Sequence, residues 1–395
     1  MKQLYILLTK SFKAKKIVYT IFSILFLFSA FHTISWFSYT QKILAPKDGV
    51  GIGDLARLTC EIDSLNERPW LYTLKKKHIQ TKNWRGEQVD IITFGDSFSR
   101  GGGGGINGFY QDYIETIYDK RVLNILPPYS SINFIEMIVA MSKNGILDDL
   151  KPKVIILESI ERLAVSRLAT KINWDFNLSK ENMLNYNFSP KKARPTKVNL
   201  NELKKQKQKQ KTISSKKQKR VFIINKRNYD CLLNPIYYTF SKDHLDRNKF
   251  AYKYKLKKDM FTVKAKNILL FNSTSVANTM LSSEKTIKLL NTNLNKLAKI
   301  LKKRNIILMF LPAVDKYNLY NPYIVNNKLP KSTFFEILEP LKKDYYFINT
   351  KKILTPLLKE HKDVYYADDT HWNSIASKTV IKNIPFNKYF PNKRY

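Results

Sequence analysis

Cysteine is almost missing from this 395-residue chain: Cys60 and Cys231 are the only two. They can make one bridge at most, so a small disulfide-stapled scaffold is excluded. Their separation in sequence leaves their pairing open. Acidic side chains are scarce too, 32 Asp and Glu against 69 Lys and Arg, for a formal net charge of +37. Such an excess suggests an anionic partner: nucleic acid, phospholipid or acidic glycan. Metal and nucleotide signatures are absent. There is no H-E-x-x-H, no C-x-x-C, no G-x-G-x-x-G in a βαβ context and no Gly-Lys-Ser/Thr after the glycine run. Neither a metal nor a cofactor is therefore expected. No repeat of 20–50 residues is visible, which excludes solenoids and propellers. Apolar residues, by contrast, make up 44% of the chain, enough for a sizeable core, and global disorder is excluded. The length suits two to three domains, or one large domain with insertions.

One long uncharged run is present. Residues 17–37, IVYTIFSILFLFSAFHTISWF, hold no Asp, Glu, Lys or Arg. A membrane-spanning helix needs about 20 such residues. Lys2, Lys10, Lys13, Lys15 and Lys16 precede it without an acid, so residues 1–16 are expected in the cytoplasm and everything after about residue 38 outside. Trp36 and Tyr39 suit the outer interface. An uncleaved anchor is favoured over a signal peptide, because the run is long and lacks small-x-small spacing before a cleavage point. His32 reads as a tolerated polar residue near the outer interface. Nucleic acid then lies on the wrong side of the membrane. The expected organisation is a 1–16 tail, a 17–37 anchor, a 38–85 juxtamembrane segment and a soluble domain over 86–395.

Within that domain, apolar runs at 89–94, 122–126, 154–158, 305–311 and 345–349 read as strands buried on both faces, as in a parallel sheet. Helical patterns fall between them at 108–118, 132–146 and 284–304. Ile287, Leu290, Leu294, Leu297 and Leu301 form the apolar stripe of the last, with Ser283 as its N-cap. The alternation predicts an α/β fold. Residues 165–274 break the rhythm and read as an insertion. Its stretch 191–220 carries 13 basic residues and one acid, Glu202. That composition predicts a solvated, partly disordered segment, or an electrostatic docking arm for anionic lipid or acidic polysaccharide.

Chemistry-bearing residues gather in two places. Gly95-Asp96-Ser97-Phe98 follows the first strand, and five glycines, Gly101 to Gly105, come next. Glycine lets a backbone take positive φ and approach a substrate closely. A serine at the C-terminal end of a strand sits where open α/β sheets bind ligands, but its hydroxyl needs a base. The second place is Tyr365-Tyr366-Ala367-Asp368-Asp369-Thr370-His371-Trp372. A carboxylate two or three residues before a histidine can hold one imidazole nitrogen while the other faces a serine.

These two segments resemble the SGNH/GDSL hydrolase superfamily, and most of all its membrane-anchored, alginate O-acetyltransferase-related branch. The strand-following IER ending at Arg162 and LPAVDKYNLY (residues 311–320) agree with it. The resemblance covers roughly residues 86–164 and 275–385. It implies a three-layer α/β/α domain with Ser97 as nucleophile, His371 as base and Asp369 as the orienting acid. Asp368, three before the histidine, is the alternative acid. The branch carries its D-x-H pair before the serine, whereas here it follows. The family's oxyanion glycine and Gly-x-Asn-Asp block are not recognisable in residues 126–131 or 158–162. The Ser97 amide, Gly101 and Gly102 are candidate oxyanion donors. Arg162, Asp315, Lys316, Tyr317 and Trp372 are candidates for the substrate side; Arg162 reads also as the structural partner of a nearby acid, Asp96 as a turn residue, and Asp315, Lys316 and Tyr317 equally as a capped loop.

The activity so implied is an outward-facing O-acyl transfer, acetyl by the resemblance, onto hydroxyls of a surface or exported polysaccharide. Acyl-CoA is cytosolic, so the resemblance implies a multi-span membrane-bound O-acyltransferase as donor. Two alternatives stay open: a carbohydrate acetylesterase with the same triad, and a non-catalytic assembly or glycan-binding protein on a degenerate SGNH fold.

Overall fold

The computed structural model describes residues 2–44, 52–66, 68, 74–104, 107–125, 133–187 and 222–390. The basic stretch 191–220, Gly105 and the block 126–131 lie outside the described residues. The body is a mixed α/β domain on a parallel six-stranded sheet. Its strands are β1 (Ile79–Gln80), β2 (Ile91–Phe94), β3 (Val122–Ile125), β4 (Val154–Ile160), β7 (Ile307–Ala313) and β8 (Tyr346–Phe347). A separate antiparallel pair, β5 (Ala251–Lys255) and β6 (Ile268–Asn272), stands beside it.

The spatial order is β1-β3-β2-β4-β7-β8. Leaving the two-residue β1 aside, this is the doubly wound 2-1-3-4-5 order. The chain reverses direction across the sheet between β2 and β4, and ligands bind outside the carboxyl ends at that point. Phe94 pairs with Leu157, so β2 and β4 end side by side. Every residue of β2, β3 and β4 is buried, which is why these strands read as unbroken apolar runs. Helices Phe134–Lys143, Glu161–Leu168 and Glu284–Lys302 contact one another, and in a second group Ser374–Lys382 contacts both Tyr110–Tyr118 and Thr350–Glu360. The Ser283 side chain caps its helix by accepting from Thr286 N at 3.3 Å.

The expected juxtamembrane segment 38–85 supplies β1 and the helix Asp54–Thr59, which packs on the 365–372 loop through Ala56 N to Asp368 O at 3.0 Å. The described part of the 165–274 insertion, residues 165–187 and 222–274, is built structure. It holds the helix Arg227–Phe240 and the β5–β6 hairpin, whose alternating strand was not recognisable as part of a parallel pattern. Cys60 and Cys231 are joined in a disulfide that ties helix Asp54–Thr59 to helix Arg227–Phe240.

The N-terminal helix Lys2–Ser35 runs on through a π-helical turn, Trp36–Thr40, to Leu44. It is long and apolar enough to cross a membrane. Phe22, Leu25, Phe26 and Leu27 are all bare. Among the described residues it meets the body near its end, where His32 Nδ1 lies 2.7 Å from Asn228 Nδ2 and Ser35 Oγ donates to Asn228 O at 3.0 Å. His32 is thus a buried docking residue.

Candidate active site

β2 delivers the G-D-S turn, and its shape is dictated by close contacts. A Cβ at Gly95 would lie 2.0 Å from Ser99 Oγ and 2.2 Å from Glu158 Oε2, so any larger residue would displace these two side chains. Glu158, fully buried in β4, accepts from Asp96 N at 2.9 Å, Ser99 N at 3.2 Å and Ser99 Oγ at 2.9 Å. Asp96 accepts from Phe98 N at 3.2 Å and from Ile160 N at 2.9 Å, and pairs with Arg167. Burial and the charge of Asp96 push the Glu158 carboxyl well above its usual range. Burial pushes Asp96 up as well, but Arg167 and the Ile160 amide outweigh it and hold that group low. Asp96 is therefore the turn residue that locks β2 to β4. Ser97, between these anchors, is exposed.

The histidine comes from a tight hairpin closed by the Tyr365–Trp372 bridge. Asn373 ends it by capping helix Ser374–Lys382, accepting from Ile375 N at 2.8 Å and Ala376 N at 3.3 Å. His371 Nε2 lies 2.6 Å from Ser97 Oγ, and Nδ1 lies 2.6 Å from Asp369 Oδ1. The same Asp369 oxygen accepts from His371 N at 3.1 Å. Burial lowers the histidine pKa, but the hydrogen bond and charge of Asp369 outweigh it and raise it above the ordinary value. Burial likewise raises Asp369, but bonding to His371, its charge and that of Arg68 hold the carboxylate at about 2. A serine, an imidazole and an ionised carboxylate thus stand in line.

Asp368 is directed elsewhere. It accepts from Arg68 Nη1 at 3.0 Å and Nη2 at 2.9 Å, and from Gly53 N at 2.9 Å. Sequence reading missed Arg68, Gly53 and Asp54. Arg68 is buried, bonds the Gly103 carbonyl and lies 4.4 Å over the Tyr366 ring. Asp54 accepts from Thr370 N at 2.8 Å and Thr370 Oγ1 at 2.5 Å. A Cβ on Gly53 would strike Asp368 O at 1.9 Å. The glycines at 49, 51 and 53 were the one signal in the sequence that this segment makes a close approach.

The glycine run serves the histidine. Gly101, Gly103 and Gly104 have φ of +75°, +81° and +76°, and a Cβ on Gly102 would lie 2.1 Å from His371 Cδ2. As oxyanion donors Gly101 and Gly102 are corrected: their amides donate to Phe98 O at 3.3 Å and Ser97 O at 2.8 Å and so close the turn. The amides of Ser97 and Gly103 make no hydrogen bond within the described residues.

The remaining candidates prove mainly structural. Arg162 pairs with Asp315 at 2.5 Å through Nη1 and 2.9 Å through its backbone N, although its charge still reaches His371. Asp315, buried, also accepts from Ser275 Oγ at 3.0 Å. Lys316 is buried and donates to the carbonyls of Tyr366, Ala367 and Asp369 at 2.8, 2.9 and 3.1 Å, so it holds the acid's loop and cannot reach substrate. Burial brings its ammonium down to about 7 against the pull of Asp368 and Asp369. The Tyr317 hydroxyl donates into the carbonyls of Leu329 and Pro330, and its ring stacks on Phe271. Trp372 is buried edge-on against Phe98, 4.7 Å between centroids, and Phe98 in turn lies 4.7 Å from the His371 ring. Among the described residues, Asp54, Asp369 and His371 are the one group that could hold a cation, with ligand atoms within 4.8 Å of one another. Their hydrogen bonds to Thr370 and to each other already use those atoms.

No protein family, curated protein or solved structure matches this chain.

Proposed function

We propose that this protein is a single-pass, outward-facing acyltransferase of SGNH type that moves an acyl group, acetyl in the first instance, onto hydroxyls of an exported or surface polysaccharide. One observation carries it: Ser97 Oγ, His371 and Asp369 form an unbroken relay at the sheet's switch point, with 2.6 Å at each step.

In the first half-reaction Ser97 Oγ attacks the acyl carbonyl as its proton passes to His371 Nε2. Asp369 holds Nδ1–H and stabilises the imidazolium. The departing oxygen of the donor takes the proton from Nε2, leaving an acyl ester on Ser97. In the second, a sugar hydroxyl gives its proton to Nε2 and attacks that ester, and Ser97 recovers the proton. The open amides of Ser97 and Gly103 are the donors proposed for the oxyanion, each such donor being worth roughly 3 kcal/mol. The disulfide between Cys60 and Cys231 supports an extracytoplasmic location. Acyl groups would then come across the membrane from a multi-span O-acyltransferase partner. The exposure of Ser97 also favours a second reading, an acetylesterase in which water replaces the sugar hydroxyl.

A serine-reactive fluorophosphonate tests the nucleophile. The detergent-purified full chain is expected to be labelled, with loss of labelling in Ser97→Ala and His371→Ala. Absence of label on the folded wild type would reject the activated serine. Offering an acyl-loaded protein to sugar oligomers then separates ester formation from acetate release.

A further inference from the structure

The helix Arg227–Phe240 is built inside out. Its buried positions are Asn228, Asp230, Cys231, Asn234 and Tyr238, while Tyr229, Leu233, Ile236, Tyr237 and Phe240 face outward. Asn228 and Asn234 are 0% exposed, whereas Phe240 is 81% and Ile236 50% exposed. A helix on a water-facing surface does the reverse and turns its polar stripe to solvent. The polar residues are held inside by specific bonds: Asn234 Nδ2 donates to Leu58 O at 3.0 Å, and Asp230 pairs with Arg247 at 2.5 Å. Phe222, five residues ahead of the helix, is also exposed, at 76%.

The position of this helix relative to the N-terminal helix decides what covers it. Asn228 is bonded to His32 and Ser35, and the Tyr229 ring lies 4.8 Å from that of Phe31. His32 stands five residues before the end of the uncharged run at Phe37, or about 8 Å at 1.5 Å per residue. Interfacial helices bury their apolar face about 5–10 Å into the boundary between headgroups and acyl chains. Exposed Lys226 and Lys242 stand just beyond the two ends of the helix, where lysine favours lipid phosphates. Tyr229 and Tyr237 are the ring type enriched at that level.

We infer that helix Arg227–Phe240 lies in the outer interface of the lipid bilayer, with its Tyr229–Phe240 face in the acyl boundary, and anchors the catalytic body flat against the membrane. The inference rests on the reading of the N-terminal helix as a span. The disulfide carries this attachment to helix Asp54–Thr59, and Asp54 carries it to Thr370 beside the histidine. The site is thereby held close to the surface from which a membrane-borne acyl donor would deliver.

The test places an environment-sensitive NBD label on a new cysteine in the full chain, reconstituted into phosphatidylcholine/phosphatidylglycerol vesicles. Phe240→Cys and Ile236→Cys report the helix face, Leu25→Cys the span, and Lys303→Cys, an exposed position following the helix Glu284–Lys302, is the water reference. Expected are blue-shifted emission at 236 and 240, quenching there by lipid spin-labelled near the headgroup, and quenching at 25 by lipid labelled deep in the chain. Emission at 236 and 240 equal to that at 303, with 25 still quenched, overturns the inference and leaves this face to a protein partner. Loss of quenching at 25 overturns the span; if 236 and 240 are also unquenched, both fall together.

Discussion

Arg68 grips Asp368 through two nitrogens, at 3.0 and 2.9 Å, and this contact leaves the adjacent Asp369 to His371. Two consecutive aspartates in one hairpin thus have different main tasks. One binds a buried guanidinium that also reaches the Gly103 carbonyl and, at 3.4 Å, Asp369 Oδ2; the other orients the imidazole through Oδ1.

Arg68→Met removes one partner of a buried pair. Such breaks cost about 3–5 kcal/mol, because the remaining carboxylate stays buried and unpaired. Denaturant unfolding is expected to show a loss of that size. The double variant with Asp368→Asn should recover part of it.

The raised His371 pKa sets the acid limb of the pH–rate profile. In the proposed mechanism activity needs the neutral imidazole, so kcat/KM should fall as pH drops through a midpoint above the usual value of about 6.5. Asp369→Asn removes the group that raises it. The limb should move to lower pH, and kcat should fall about 10⁴-fold. Asp369 itself titrates at about 2 in the folded protein, against about 3.9 unfolded. Its contribution, on the order of 2 kcal/mol, is full above pH ~4 and is lost as pH falls towards 2. Asp368→Asn should lower stability and leave the limb in place.

Gly102→Ala places a methyl 2.1 Å from His371 Cδ2 and 2.5 Å from Nε2. The imidazole must swing off Ser97. Fluorophosphonate labelling should drop by at least about 10²-fold, the scale of an ångström-level misplacement, with the midpoint of unfolding shifted far less than in Arg68→Met.

Lys316→Met leaves the carbonyls of Tyr366, Ala367 and Asp369 without their shared donor. A single unsatisfied buried group costs about 1–3 kcal/mol. Both stability and kcat should fall, while the affinity for acyl substrate changes little, since this ammonium is sealed from the cleft.

Much of the fold was legible because a parallel sheet covered on both faces writes its strands as apolar runs. The runs at 89–94, 122–126, 154–158 and 305–311 overlap β2, β3, β4 and β7, and the stripe from Ile287 to Leu301 is buried. β1 escaped notice because two residues carry no periodicity. The β5–β6 pair was lost because β5 is only half-buried and mixes Lys with Tyr. The helix Arg227–Phe240 shows a strong apolar stripe in sequence, but a stripe does not say whether it faces the core.

Sequence alone determined the chemistry on offer: a serine after a strand, a histidine with two preceding acids, an uncharged run of spanning length and a glycine run that had to serve backbone geometry. These are local properties, set by residue type and spacing within a few positions. Tertiary structure alone decided which acid meets the imidazole, that Cys60 finds Cys231, that Lys316 and Tyr317 are structural, and that Gly53, Asp54 and Arg68 brace a loop some 300 residues away. Such choices depend on partners brought together by folding, whose contact energies leave no periodic trace in either segment.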